Sequence, residues 1–208
     1  MLSWYELTDI AGIVDSARSS TYRRSTYQPF NISYFDDSAM FGENAFDTVT
    51  IGDCSLSNFS FAVANDINDT AATTRGTQMG ILGISAKEGK EECGHINCTD
   101  RSTMPTISEA MVSAGRIESN SYSILLDDSS SQTGSILFGG IDIAKFTGPL
   151  TTLRTTPDKR GQYSRQQLRL STVTTHVNNS ATRSFGSADN SIAVLLDTGS
   201  GGMSLPSD

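Results

Sequence analysis

Apolar and polar residues alternate in short runs along most of this chain, the period-two signature of strands with one face buried. Phe30, Ile32 and Tyr34 alternate with Asn31 and Ser33, and a second alternating stretch runs from Phe46 through Val49 to Ile51. Between them Phe35-Asp36-Asp37-Ser38 supplies turn chemistry, so the spacing predicts a hairpin with its tip near Asp36 to Gly42. Phe59, Phe61 and Val63 alternate once more, and a polar linker follows to Thr77.

Farther along, Gly80-Ile81-Leu82-Gly83-Ile84 is an apolar run between glycines and predicts a short buried strand at a close backbone approach. Pro105 to Gly115 is the best helix: Ile107, Ala110, Met111 and Ala114 share one face, and Gly115 ends it. Tyr122 to Leu126 and Ser135 to Phe138 read as strands divided by a polar loop from Asp127 to Thr133. Leu150 to Leu153, Leu168 to Leu170 and Val173 are strand-like and threonine-enriched. Asn178 to Asn190 reads as a polar loop, and Ala193-Val194-Leu195-Leu196 as a buried strand. Residues 1 to 27 carry no clear periodicity, Ser19 to Tyr22 reading as a loop or turn. No internal repeat is visible, and strands far outnumber helices. The expected class is all-β with a few short helices.

Composition narrows the partners more than the fold. The 208 residues suffice for one sizeable domain or for pieces of two lobes. Serine and threonine make up about a quarter of the chain, which suits polar-faced strands and turns. A net charge of -8 argues against nucleic acid and against an anionic membrane surface. No segment approaches membrane-spanning length.

The three cysteines are Cys54, Cys93 and Cys98. Cys93 and Cys98 bracket a short loop and could close a small disulfide; the partner of Cys54 is left open. His95 lies between them, but the spacing fits no usual zinc pattern and lacks a second ligand pair, so no metal and no cofactor are expected. Asn31, Asn58, Asn68, Asn97 and Asn178 each head an Asn-x-Ser/Thr sequon, five of ten asparagines, where chance would give about a quarter. That excess favours the secretory route, although Met1 to Glu6 lacks the basic start and apolar core of a signal peptide.

The candidate chemistry lies near the end. The apolar run 193–196 delivers Asp197-Thr198-Gly199-Ser200 into a tight turn. Gly199 permits the sharp bend, and amides and hydroxyls close to the carboxylate favour its ionised form. A second carboxylate about 3 Å away would make the two share a proton. Such a pair polarises a water, one member accepting its proton while the other donates to a scissile carbonyl oxygen. The plain alternative is an Asp-x-Gly turn without function. Ser200 lacks the marks of a nucleophile, because the Gly-x-Ser-x-Gly elbow is absent and no histidine is partnered to it. His176, in a Thr/Asn-rich segment, and the charge run Lys87 to Glu92 read as solvated surface.

Taken in order, the chain resembles the pepsin-like aspartic peptidases, in particular their secreted or cell-surface fungal members. Ser19-Ser20-Thr21-Tyr22 is similar to the Ser-Ser-Thr-Tyr ahead of the flap in that family. Phe30 to Ser38 resembles the flap hairpin, with Tyr34 at the flap tyrosine and Asp36 and Ser38 beside it. Asp47-Thr48-Val49-Thr50-Ile51-Gly52 resembles the strand returning from the flap, and Ile81-Leu82-Gly83 the element that braces the first catalytic loop. Pro105 to Gly115 resembles the following helix, Gly134 to Asp142 the close of the first lobe, and Ala193 to Pro206 the second catalytic loop. Seven motifs in collinear order are specific where any one is weak.

The resemblance implies a bilobal acid-protease fold present in part, truncated at both ends. Residues 1–145 would be the rest of the N-terminal lobe without its catalytic loop, and residues 146–208 the beginning of the C-terminal lobe. It implies an endopeptidase acting on polypeptides at acid pH, monomeric at full length, secreted or at the cell surface. Asp197 would be one of its two catalytic aspartates, supported by Thr198, Gly199 and Ser200. Residues 1–18 hold no Asp-Thr-Gly or Asp-Ser-Gly, and Phe35 and Asp37 stand where flap glycines are usual. The chain alone is therefore expected to be inactive, the alternative being a non-catalytic, peptide-binding pseudoprotease or a decayed gene product. A retroviral-type pair of identical chains does not suit the order, because Asp197 follows flap and brace.

Overall fold

The computed structural model describes residues 14–26, 29–33, 39–68, 80–85, 104–128, 130–131, 133–157, 161, 163, 166–177, 180–185 and 191–198; at 67–68, 175, 177 and 180–185 it describes the backbone only. The chain divides into two compact units, Met1–Ile84 with Thr99–Thr147, and Ser85–Cys98 with Gly148–Asp208.

In the first unit a single long strand carries the architecture. The elements are β1 (Arg23–Arg24), β2 (Phe30–Ser33), β3 (Ala39–Ile51), β4 (Cys54–Asn68), α1 (Ile107–Ser113), β5 (Tyr122–Leu126) and β6 (Gly134–Phe138). Strand β3 pairs antiparallel with β4 from Ala39↔Asn68 down to Ile51↔Cys54. Its other edge takes β2 along Ala39 to Gly42 and β1 at Ala45 and Phe46. The β3–β4 loop is two residues, and Gly52 has φ 58, the positive value that a II′ hairpin turn requires at its first position.

Two register shifts interrupt this ladder. At the first, Gly42 packs so closely on β4 that a Cβ there would lie 1.9 Å from the Val63 carbonyl oxygen. At the second, Ser57 and Asn58 of β4 stand against Thr48 alone, and Asn58 takes up the extra residue at φ 56.

Both shifts lie in strands longer than the alternation predicts. The β2–β3 connection is confined to residues 34–38 rather than reaching Gly42, because residues 39–42 are paired on both edges. Likewise β4 continues to Asn68, where a polar linker is expected, since backbone pairing with β3 holds it extended while Ala64, Asn65 and Asp66 face solvent. Pairing is a backbone property, and a polar strand face leaves no mark in the hydrophobic pattern.

Helix α1 closes the core of this unit. Thr106 caps it: the Thr106 hydroxyl accepts from the Glu109 amide at 3.3 Å, and the Glu109 carboxylate accepts from the Thr106 amide at 2.8 Å. Pro105 therefore lies outside the helix, and Ala114 is its exposed C-cap. Ile107 and Met111 face inward onto Cys54, Leu56 and Phe138. Met111 is fully buried and each such side chain contributes about 1.5–3 kcal/mol. The β5–β6 hairpin adds an edge-to-face pair of Tyr122 and Phe138, ring centroids 6.5 Å apart.

The second unit contains β7 (Gln167–Leu170), β8 (Val173–Val177), β9 (Ser180–Phe185) and β10 (Ile192–Leu195). β8 pairs with β9, so a strand occupies much of the segment 178–190 expected to be a loop. Its Ser, Thr and Arg residues show no apolar alternation, and the ladder alone makes it a strand. Leu150 to Leu153, expected as a strand, forms none, and Leu150 and Leu153 are exposed.

Candidate functional site

The Asp197 turn is positioned by a short antiparallel ladder. β10 pairs with β7 from Ile192↔Leu170 to Leu195↔Gln167. The pairing runs one residue past the strand, where the Leu196 amide donates to the Gln166 carbonyl at 3.0 Å. On the far edge of β7 the Thr156 amide donates to the Gln167 carbonyl at 2.8 Å. Arg169 Nη1 donates to the Ser191 carbonyl at 3.0 Å, fastening the start of β10. Asp197 thus emerges where the ladder ends, with Thr198 entering the turn, and both are exposed. Gly199 and Ser200 lie outside the described residues.

The expected strand is there, but it is not buried. Leu195 is 49% and Leu196 59% exposed. A two-stranded ladder has no second layer, and an apolar strand is buried only when another surface is laid over it. The same reason corrects the reading of Gly80 to Ile84. Ile81 and Leu82 are exposed and Gly83 stands in open space, with no strand formed, because no described residue covers them.

In the first unit the hydroxyl-rich segment ahead of β1 is tied to β3. The Asp47 carboxylate accepts from Ser19 Oγ at 2.9 Å, from Thr21 Oγ1, and from the Thr48 amide at 2.7 Å. The Thr21 hydroxyl is the largest influence holding Asp47 below the usual carboxylate range; desolvation, the next largest, opposes it, and Ser19 and the Thr48 amide add to the lowering. Four residues earlier on the same strand, Glu43 accepts from the Tyr22 hydroxyl at 2.8 Å and pairs with Arg24 Nε at 2.5 Å. Burial, and after it the hydrogen bond and charge of Glu43, push the Tyr22 phenol up.

Two segments that sequence reading treats as separate motifs therefore form one junction at the base of the β2–β3 hairpin. Glu43 and Arg24 were not singled out by the sequence. Their opposite charges signal a pair only once the β1–β3 register is known.

Tyr34, Asp36 and Ser38, read as flap residues, lie outside the described residues, as do Cys93, Cys98, Asn97 and Asn178. Asn31 is exposed on β2, Asn58 is exposed in the β4 bulge, and Asn68 ends β4. Cys54 is a buried free thiol within the α1 core. Among the described residues, no group of three or more His, Cys, Asp or Glu could hold a metal ion. No described helix is long and apolar enough to cross a membrane.

Residues 6–208 match the family model of the eukaryotic aspartyl proteases. The chain belongs to this family. It is 35% identical over 199 residues to a probable aspartic-type endopeptidase, OPSB, of Arthroderma benhamiae, covering 94% of this chain and 37% of that one. It is 31% identical over 143 residues to secreted aspartic protease 9 of Candida albicans, covering 69% of this chain and 24% of that one. The chain thus spans little more than a third of the OPSB relative. The crystal structure of the aspartic proteinase from Irpex lacteus superposes with a TM-score of 0.60 at 20% identity, covering 86% of this chain and 49% of that one. The fold is accordingly the strand-rich pepsin-like fold, of which this aspartyl protease chain covers part.

Proposed function

We propose that this chain supplies Asp197 as one of the two catalytic carboxylates of an endopeptidase that hydrolyses polypeptides at acid pH. The observation that carries the reading is an Asp-Thr-Gly that occurs once in the chain, at the end of a paired strand, within a sequence of the aspartyl protease family. The chemistry follows from a close carboxylate pair. One proton is shared between the two groups, a state favoured in acid because like charges a few ångströms apart resist double ionisation. The ionised member accepts a proton from the water between them as it attacks the peptide carbonyl carbon, and the protonated member donates to the carbonyl oxygen. Thr198 and Ser200 orient the pair, and Tyr34, flanked by Asp36 and Ser38, closes over the substrate. One carboxylate cannot serve as acid and base together, so on this reading these 208 residues are inactive alone and activity requires a second aspartate from outside them.

Residues 1–145 are assigned to the N-terminal lobe and 146–208 to the C-terminal lobe, with Ile81, Leu82 and Gly83 bracing the partner loop in the assembled enzyme. The sequons and a relative named as a secreted protease support export to the cell surface or medium. The full-length protein is assigned as a monomer. In the intact protein, Asp197→Asn lowers acid-pH proteolysis about 10³-fold or more while substrate binding persists. Unchanged turnover in that variant overturns the assignment.

A second reading is favoured by Phe35 and Asp37, which stand in the sequence where the resemblance calls for glycine. The cleft would then hold peptides without cutting them. A fluorescent peptide that binds the intact protein at acid pH and stays uncut over long incubation distinguishes this from the enzyme.

A further inference from the structure

The proposed reaction leaves the sequons unused, and at Asn58 all three sequon residues lie among the described residues. Asn58 is exposed, has φ 56, and is one of two β4 residues set against Thr48. A bulge of this kind re-aims a side chain out of the regular ladder. From β1 the Arg23 guanidinium lies over the Phe46 ring, 5.4 Å from its centroid, and Nη2 donates to Asn58 Oδ1. A guanidinium has donors only, so the amide atom facing it is the oxygen, and Nδ2 is the end turned away from Arg23.

We propose that Asn58 carries an N-linked oligosaccharide whose first sugar lies along the Arg23–Phe46 stack. The inference rests on the secretory route proposed above. In the transfer, Asn58 Nδ2 displaces the diphosphate of a lipid-linked oligosaccharide at the anomeric carbon. The N–C bond forms, the C–O bond to diphosphate breaks with its electron pair leaving on oxygen, and one amide proton is released. The third sequon residue dates the event. Ser60 is part-buried and its hydroxyl donates to Met104 Sδ at 3.0 Å, a partner 44 residues later. The hydroxyl is open to a transferase before that segment packs, so the sugar is added first and the bulge then accommodates it. An exposed left-handed position at a bulge accepts the attachment without breaking the β3–β4 ladder. The apolar edge of the Arg23–Phe46 stack offers the sugar a surface.

The test uses the intact protein secreted by a eukaryotic host, with glycans released by amidase in heavy-oxygen water and each sequon read by peptide mapping. Labelled aspartate at position 58, and one glycan fewer in both Asn58→Gln and Ser60→Ala, is the expected result. Asn58 bare while other sequons are occupied overturns this site and leaves the secretory reading standing. All five bare in a protein retained inside the cell overturns both. Seating on the stack is read from Tm. Ser60→Thr keeps the glycan and Ser60→Ala loses it, and the difference between them is expected to be about 2–4 °C. In the Arg23→Ala background occupancy is unchanged and the difference falls below half of that. An equal difference in both backgrounds overturns the platform.

Discussion

The Thr21 hydroxyl donates to the carboxylate of Asp47 across 26 residues of sequence, and Ser19 donates to the same oxygen. This contact fastens the segment ahead of β1 to the middle of β3, below the residues that join β2 to β3. The carboxylate is half-buried and has a lowered pKa because three donors converge on it.

Acid should loosen this junction. Asp47 titrates below 3.8 in the folded protein and near that value unfolded, so the unfolded chain binds its proton more readily. Its contribution is fully present above 3.8 and is lost as pH falls through the lowered folded value. Tm measured against pH is expected to fall more steeply in the wild type than in Asp47→Asn over that window, and parallel curves would remove Asp47 from the acid response.

Tyr22 gives the opposite sign. Its folded pKa is raised above 10.0 by burial and by Glu43, so its contribution holds below the unfolded value and is lost as pH rises through the folded one. The phenolate absorbance assigned to Tyr22, from the wild type minus Tyr22→Phe, should appear above pH 10.0. Glu43→Gln should bring it part of the way down, burial remaining. A titration unmoved by that substitution would discount the Tyr22–Glu43 bond.

Met111 sits at the centre of the α1 core with no exposure. Met111→Ala is expected to cost about 3 kcal/mol through lost transfer energy and the cavity left behind, read by urea denaturation with an unchanged m-value. Exposed Val112, the next residue, serves as the control: Val112→Ala should change stability by less than about 0.5 kcal/mol.

Gly42 has no room for a side chain, since a Cβ would meet the Val63 carbonyl oxygen at 1.9 Å. Gly42→Ala must push β3 from β4 at the bulge, at a cost of about 3 kcal/mol. Gly115→Ala, in open space but at φ 64, should cost about 1 kcal/mol from backbone strain alone. Equal losses in the two variants would argue against close packing at Gly42.

Local pattern alone determined a good deal of this protein. Alternation marked the apolar parts of β2, β3 and β4, and the Ile107/Met111 spacing marked α1. The Asp-Thr-Gly after an apolar run marked the candidate turn, and the ordered motifs marked the family. These signals are local, and neighbouring residues suffice to carry them. Tertiary structure decided what depends on partners distant in the chain. It extended β3 and β4 through polar residues, because a ladder needs only backbone groups. It made a strand of Ser180 to Phe185 and none of Leu150 to Leu153. It joined Thr21 to Asp47 and Tyr22 to Glu43. It also left Ile81, Leu82, Leu195 and Leu196 exposed. Hydrophobicity states that a residue gains by being covered, but only a second layer of structure can cover it. Asp197 has the same character: its place just after β10 is local, and the catalytic role proposed for it depends on a second carboxylate.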